Sequence, residues 1–184
     1  DPKSAEAYRQ RATAFLDQKK LEAAIADLTQ LFDMTDGKFE DFLVRGRAYE
    51  AQGMYDKAAA DYQRAVDLNP DHVEALINLG RGLRLNDKHT LAVQSLGRAI
   101  QIDPRYVDAY LNRGISYTEL GRPDQALNDL NQALAMQPND PQILNHRAMA
   151  YLRSDRSEKA LEDINKTIEA QPQYAQAYIT RGQI

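Results

Sequence analysis

Between residues 107 and 136, Tyr110, Gly114 and Tyr117 fall on one helical stripe, and Ala126, Leu130 and Ala133 on a second. Gly121 lies between the stripes as a turn residue, and Pro138 follows the second where a helix cannot continue. This segment is therefore predicted to be a helix, a short turn and a second helix. Each stripe is too narrow to be buried alone, so neighbouring hairpins must complete the core.

The same stripes recur every 34 residues. Tyr8, Phe42, Leu76, Tyr110, Leu144 and Tyr178 keep that spacing, as do Phe15, Tyr49, Leu83, Tyr117 and Tyr151. Ala24, Ala58, Ala92, Ala126 and Ala160 keep it too, and Pro70, Pro104, Pro138 and Pro172 close four units. The pattern predicts a single array over 1–184, with repeats 5–38, 39–72, 73–106, 107–140 and 141–174 and a sixth begun over 175–184. Numbered within a repeat, large apolar residues stand at positions 4 and 11, a small one at 8, Ala at 20 and a large residue at 24. Alanine at 20, facing Gly46, Gly80 or Gly114 at position 8, would let two helices approach closely.

A 34-residue period with this pattern resembles the tetratricopeptide repeat (TPR) family, over nearly the whole chain. The first repeat departs from it, ending "FDMTDGK" without the proline, and no repeat has the tryptophan often found at position 4. The resemblance implies an all-α fold, a right-handed superhelical solenoid of antiparallel helix pairs (an alpha-alpha superhelix). The first helix of each pair would line the concave side.

One polar pattern bears on the interior. Position 7 reads Arg11, Arg45, Leu79, Arg113 and Arg147, while position 23 reads Asp27, Asp61, Ser95, Asp129 and Asp163. Arginine and aspartate disappear together in the third repeat. Pairing with the following repeat would instead set Leu79 against Asp61 and Arg113 against Ser95. Four bridges within repeats are therefore expected, Arg11–Asp27, Arg45–Asp61, Arg113–Asp129 and Arg147–Asp163, in a structural role.

Charge and composition narrow the function. A net charge of −4 and a pI near 5.4 argue against a nucleic-acid partner. The absence of cysteine excludes disulfides, thiolate catalysis and cysteine-ligated zinc. No apolar run is long enough to span a membrane, so direct membrane insertion is not expected. His72, His89 and His146 form no metal spacing on one helix, and no glycine-rich phosphate loop is present. Gly80 is the expected packing glycine of "LGRGLRL", whereas Gly82 and Gly97 have no evident packing reason and weaken their helices. Tyrosines fall at core and junction positions rather than on a base-stacking platform. Neither catalytic residues, a metal nor a cofactor is expected.

The resemblance also implies a groove, into which positions 2, 5, 6, 9, 12 and 13 of the first helices would look. Candidate contacts are Leu43, Ile77 and Leu111 at position 5, Asn78, Asn112 and His146 at position 6, and Arg47 and Arg81 at position 9. Position 2 is acidic in Glu6, Glu40, Glu74 and Asp108, and no triplet of repeats carries the lysines and asparagines with which some relatives grip a carboxylate. Apolar steps beside amides suit an extended peptide, since asparagine can donate to and accept from one peptide unit at once. The sequence thus reads as a non-enzymatic scaffold binding an extended peptide or partner helix. Alternatives are a regulatory or substrate-recruiting arm of a larger enzyme, and a self-assembling scaffold. "DPKS" and "AYITRGQI" read as partial repeats, so a piece of a longer protein is expected, with Arg181 lacking its aspartate and uncapped ends able to self-associate.

Overall fold

A computed structural model of the chain describes residues 4–184; Asp1, Pro2 and Lys3 of the "DPKS" stretch lie outside it. The described residues form eleven α-helices and no strand, arranged in two compact units. The first unit, Asp1–Lys88, holds α1 (Ala5–Asp17), α2 (Leu21–Met34), α3 (Phe39–Ala51), α4 (Tyr55–Leu68) and α5 (Val73–Leu85). The second, His89–Ile184, holds α6 (His89–Ile102), α7 (Val107–Glu119), α8 (Pro123–Met136), α9 (Pro141–Leu152), α10 (Ser157–Ala170) and α11 (Ala175–Arg181). The third repeat gives its first helix to one unit and its second to the other.

Every turn inside a hairpin has the same backbone. Position 15 is left-handed in all five repeats, at Lys19 (φ 58°), Gly53 (75°), Asp87 (55°), Gly121 (68°) and Asp155 (57°). The next amide then reaches back to the carbonyl of position 11, as in Met54 N to Tyr49 O and Arg122 N to Tyr117 O, both 2.9 Å. Only Gly53 and Gly121 reach this conformation without a Cβ penalty. Helix starts are capped where a short polar side chain is available: the Ser4 hydroxyl accepts from Ala7 N, and Asp140 accepts from Ile143 N at 2.9 Å. His72 does the same for α5, its Nδ1 accepting from Ala75 N while its ring tilts against Phe39.

The second helices all stop at position 30, at Met34, Leu68, Ile102, Met136 and Ala170. The missing proline of the first repeat does not move that boundary. The chain turns extended at Thr35, and Gly37 beyond it is left-handed at φ 74°, directly beneath Phe32, whose ring a Cβ would meet at 2.1 Å. The Phe32 ring stacks in turn on Phe42 at the start of the next hairpin, with centroids 4.6 Å apart.

The small residues at position 8 do permit close approach, but the nearest facing atoms belong to position 24. A Cβ on Gly46 would meet the Tyr62 ring at 2.6 Å, and one on Gly114 would meet Leu130 at 2.8 Å, with the Ala126 carbonyl next at 3.3 Å. Gly82, unexplained by the sequence, has the same cause: a Cβ there would lie 3.2 Å from the other edge of Tyr62. Tyr62 is fully buried between the glycines of α3 and α5. Gly97 differs, meeting only Arg113 Nη1 at an ordinary 3.5 Å.

Candidate functional site

Inside each paired hairpin the arginine of position 7 grips the aspartate of position 23 with both edges of its fork. Arg45 Nε and Nη2 donate to Asp61 at 2.7 and 2.8 Å, Arg113 to Asp129 at 2.7 and 2.8 Å, and Arg147 to Asp163 at 2.7 Å each. Arg11 makes the same bonds to Asp27 at 2.5 and 2.7 Å from a more open position. Aromatic rings complete the arginine sites: Arg45 lies 4.2 Å from the Phe32 ring, and Arg113 lies about equally far from Tyr110 and Tyr117. Each of these guanidinium groups spends two donors inside its own hairpin, and Arg147 also donates from Nη1 to Asn131 Oδ1 of α8 at 2.8 Å. In the third repeat Leu79 and Ser95 are each buried.

On the first-helix face of the first unit, charges run from one repeat to the next. Arg9 of α1 makes a two-pronged bond to the buried Asp41 of α3 at 2.6 and 2.9 Å and also binds Glu6. Arg47 of α3 reaches Glu74 of α5 at 2.5 Å, with both side chains about half exposed. Arg81 of α5 donates from Nε to Glu50 Oε1 at 2.8 Å and from Nη2 to Glu50 Oε2 at 3.2 Å and Asn78 Oδ1 at 3.1 Å. The hydroxyl of Tyr62, reaching through from α4, donates to Glu50 Oε2 at 2.9 Å. Burial is the largest single influence on Arg81 and lowers its pKa, but the hydrogen bond to Glu50 and the charge of Glu50 together outweigh it and raise the guanidinium pKa. For Tyr62, burial first and the Glu50 charge second push the phenol well above its ordinary value.

In the second unit charges between first helices are sparser, with Arg153 of α9 lying 3.9 Å from Glu119 of α7. Leu111 and Ile115 of α7 share a core cluster with Ile143 of α9, and Asn112 Nδ2 donates to the Asp108 carbonyl of its own helix at 2.8 Å. His146 and Met149 of α9 are half-buried, and Asp108 and Glu119 are exposed at the ends of α7.

These positions correct the expected groove lining. Leu43, Ile77 and Leu111 are 8%, 4% and 8% exposed, and Asn78 and Asn112 are 4% and 6% exposed, so positions 5 and 6 are buried rather than open. Where Leu111 of α7 clusters with Ile143 of α9, position 5 lies in the packing between two successive first helices of one unit. Arg47 and Arg81 do reach the surface, but each is committed to a glutamate. The sequence missed Glu50 and Tyr62, although a hydroxyl at position 24 in one repeat alone was a visible signal.

Among the described residues no group of three or more His, Asp or Glu is placed to hold a metal ion. No described helix is long and apolar enough to cross a membrane.

Helical hairpins of 34 residues with close-packed small positions define a helical-repeat solenoid protein. The family model of the tetratricopeptide repeat matches residues 43–107 and 111–175, most of the chain, and the chain belongs to that family. Repeats of this family are in general non-catalytic protein-interaction modules. Solved structures share the fold. The MamA 41-end structure from Desulfovibrio magneticus RS-1 is 21% identical, with a TM-score of 0.83 over 92% of this chain and 96% of that one. YrrB, described as a TPR protein with an unusual peptide-binding site, is 21% identical, with a TM-score of 0.81 over 99% and 94%. A MamA structure designated MSR-1 is 25% identical, with a TM-score of 0.79 over 92% and 97%. No curated protein sequence matches the chain.

Proposed function

We propose that the chain is a non-enzymatic protein-interaction scaffold that binds an extended peptide on the first-helix faces of its repeats. The observation that carries this reading is the arrangement around Arg81. Glu50 and Asn78 hold the guanidinium in one orientation, Tyr62 fixes Glu50 from behind, and the Arg81 side chain remains 31% exposed. Because guanidinium only donates, Asn78 must turn its oxygen toward Arg81, which leaves the amide Nδ2 without a partner. A pre-oriented, partly exposed guanidinium of this kind suits the carbonyl groups of a peptide main chain. The acidic net charge supports a protein partner over a nucleic acid. YrrB, with the same fold, is named for a peptide-binding site, which is consistent with this use of the repeats.

The test is binding to an array of synthetic decapeptides by the labelled chain, by Arg81→Ala and by Asn78→Ala. Retained circular dichroism with at least tenfold weaker binding is expected for the variants. Unchanged affinity would remove these residues from the interface, and an array with no bound peptide would refute the reading.

A further inference from the structure

The outer faces of α6 and α8 differ from those of the other second helices. Both helices pack on α7, and Arg113 of α7 reaches between them. Its Nε and Nη2 are taken by Asp129 of α8, while Nη1 lies 3.5 Å from where a Cβ on Gly97 of α6 would stand. One repeat on, the corresponding Arg147 Nη1 donates to Asn131, which holds on α8 the position that Gly97 holds on α6. Glycine there leaves Arg113 Nη1 with no acceptor among the described residues. Helical register sets Gln94 and Gln101 on the side of α6 toward α8, and Gln125 and Gln132 on the side of α8 toward α6. All four are exposed, and none hydrogen-bonds within the described residues, whereas the exposed Gln10, Gln52 and Gln63 each hold a carboxylate. Elsewhere these positions carry charge: Lys159 and Lys166 of α10 replace the glutamines of α8, and Glu162 and Glu169 replace those of α6. The charges that remain on the two faces are occupied, Arg98 being engaged and Asp124 paired with Arg156 at 3.0 Å. Exposed Ile102 and Met136 add apolar surface near the C-terminal ends of the two helices.

We propose that this face pairs with the same face of a second copy of the chain about a two-fold axis. A face that meets itself must be its own complement. A carboxamide is, because it both donates and accepts, while a lysine or a glutamate is not. With a net charge of −4 two copies repel, so they approach where neither presents an unbalanced charge. Glutamine amides then exchange hydrogen bonds across the axis, and one of their carbonyls gives Arg113 Nη1 the acceptor that Asn131 gives Arg147. Long side chains lose rotamer freedom and two helix faces make a small interface, so the association is weak and reversible. The face belongs to second helices and leaves the first-helix faces of the unit clear for a peptide, so the two readings stand or fall separately. Contact through the ends of the array would instead be head-to-tail and would not close at two.

Sedimentation of the full chain from micromolar to millimolar concentration tests the pairing. The parent is expected to pass from monomer to dimer and no further. Gln101→Glu with Gln125→Glu, and separately Gln101→Lys with Gln125→Lys, should keep their circular dichroism and self-associate roughly tenfold more weakly or worse, because like charges meet across the axis. Mixed in equal amounts, the two variants should recover the dimer. Gly97→Asn, which offers Arg113 an acceptor from within the chain, should weaken the parent dimer as well. A parent that stays monomeric, or that grows beyond two, overturns the proposal. An undiminished dimer in the glutamate or lysine variant places the contact elsewhere and overturns it too. A mixture that stays monomeric shows that the face does not meet itself, and an unchanged dimer in Gly97→Asn overturns the part given to Arg113.

Discussion

Removing one partner of the Arg113–Asp129 bridge tests how the hairpins are held. Asp129 is 7% exposed at its side chain and Arg113 21%, and the two share two hydrogen bonds of 2.7 and 2.8 Å. Breaking a fully buried pair costs about 3–5 kcal/mol, mostly because a charge is left desolvated without compensation. The arginine is partly open to water, so about 2 kcal/mol is expected for Arg113→Leu and about 2 kcal/mol for Asp129→Ser. The double variant should lose no more than either single one, which makes the coupling about 2 kcal/mol. The chain carries that combination as Leu79 and Ser95. Urea unfolding of the four chains gives the cycle, and at this length each single change should lower Tm by about 4–8 °C. Amide hydrogen exchange in α7 and α8 would place the loss in the fourth repeat. If the two losses add to within about 0.5 kcal/mol, the bridge is no unit and the explanation of the paired switch fails.

Other expectations follow from the same geometry. The raised phenol pKa of Tyr62 means that the unfolded chain ionises first as pH passes about 10, so stability present below that value is lost above it. Tyr62→Phe should flatten the decline of Tm between about pH 9 and 11, and parallel declines in the two chains would disprove this. Gly46→Ala, forced against the Tyr62 ring, should cost about 1–3 kcal/mol in urea unfolding, whereas Gly97→Ala should gain about 0.5–1 kcal/mol because only ordinary contact awaits its Cβ. Asp155→Gly relieves a left-handed non-glycine residue and should raise Tm slightly; Gly121→Ala, by imposing that strain, should cost about 1 kcal/mol in the same assay.

The periodic features were legible because each reads out in a single repeat compared with its copies. Stripes at positions 4, 8, 11, 20 and 24 set helix number and order, and the joint loss of arginine and aspartate in the third repeat showed which charges meet. Features that depend on particular neighbours were not. Gly82 looked arbitrary because its cause, Tyr62, stands twenty residues earlier on the preceding hairpin. Asn78 and Asn112 read as exposed because helical periodicity gives a residue's direction, not what the adjacent helix lays over it. Lys19 carries no sign of its left-handed turn, and Asp87 and Asp155 carry only the mild tolerance of aspartate for that region, so the flanking helices set the geometry. Arg47 and Arg81 could be placed on the surface from sequence, but their commitment to Glu74 and Glu50 could not.

The bridges between positions 7 and 23 have a bearing on how such an array can change length. Each guanidinium finds its carboxylate sixteen residues later within the same block, so duplicating or deleting one 34-residue block carries both charges along and strands neither. The links from α3 to α5 lack this property, because a block inserted between them would separate Glu50 from Arg81 and Tyr62 from Gly82. Growth by copying is thus tolerated by the hairpin interiors, while the boundary between the second and third repeats is a place where copying breaks something.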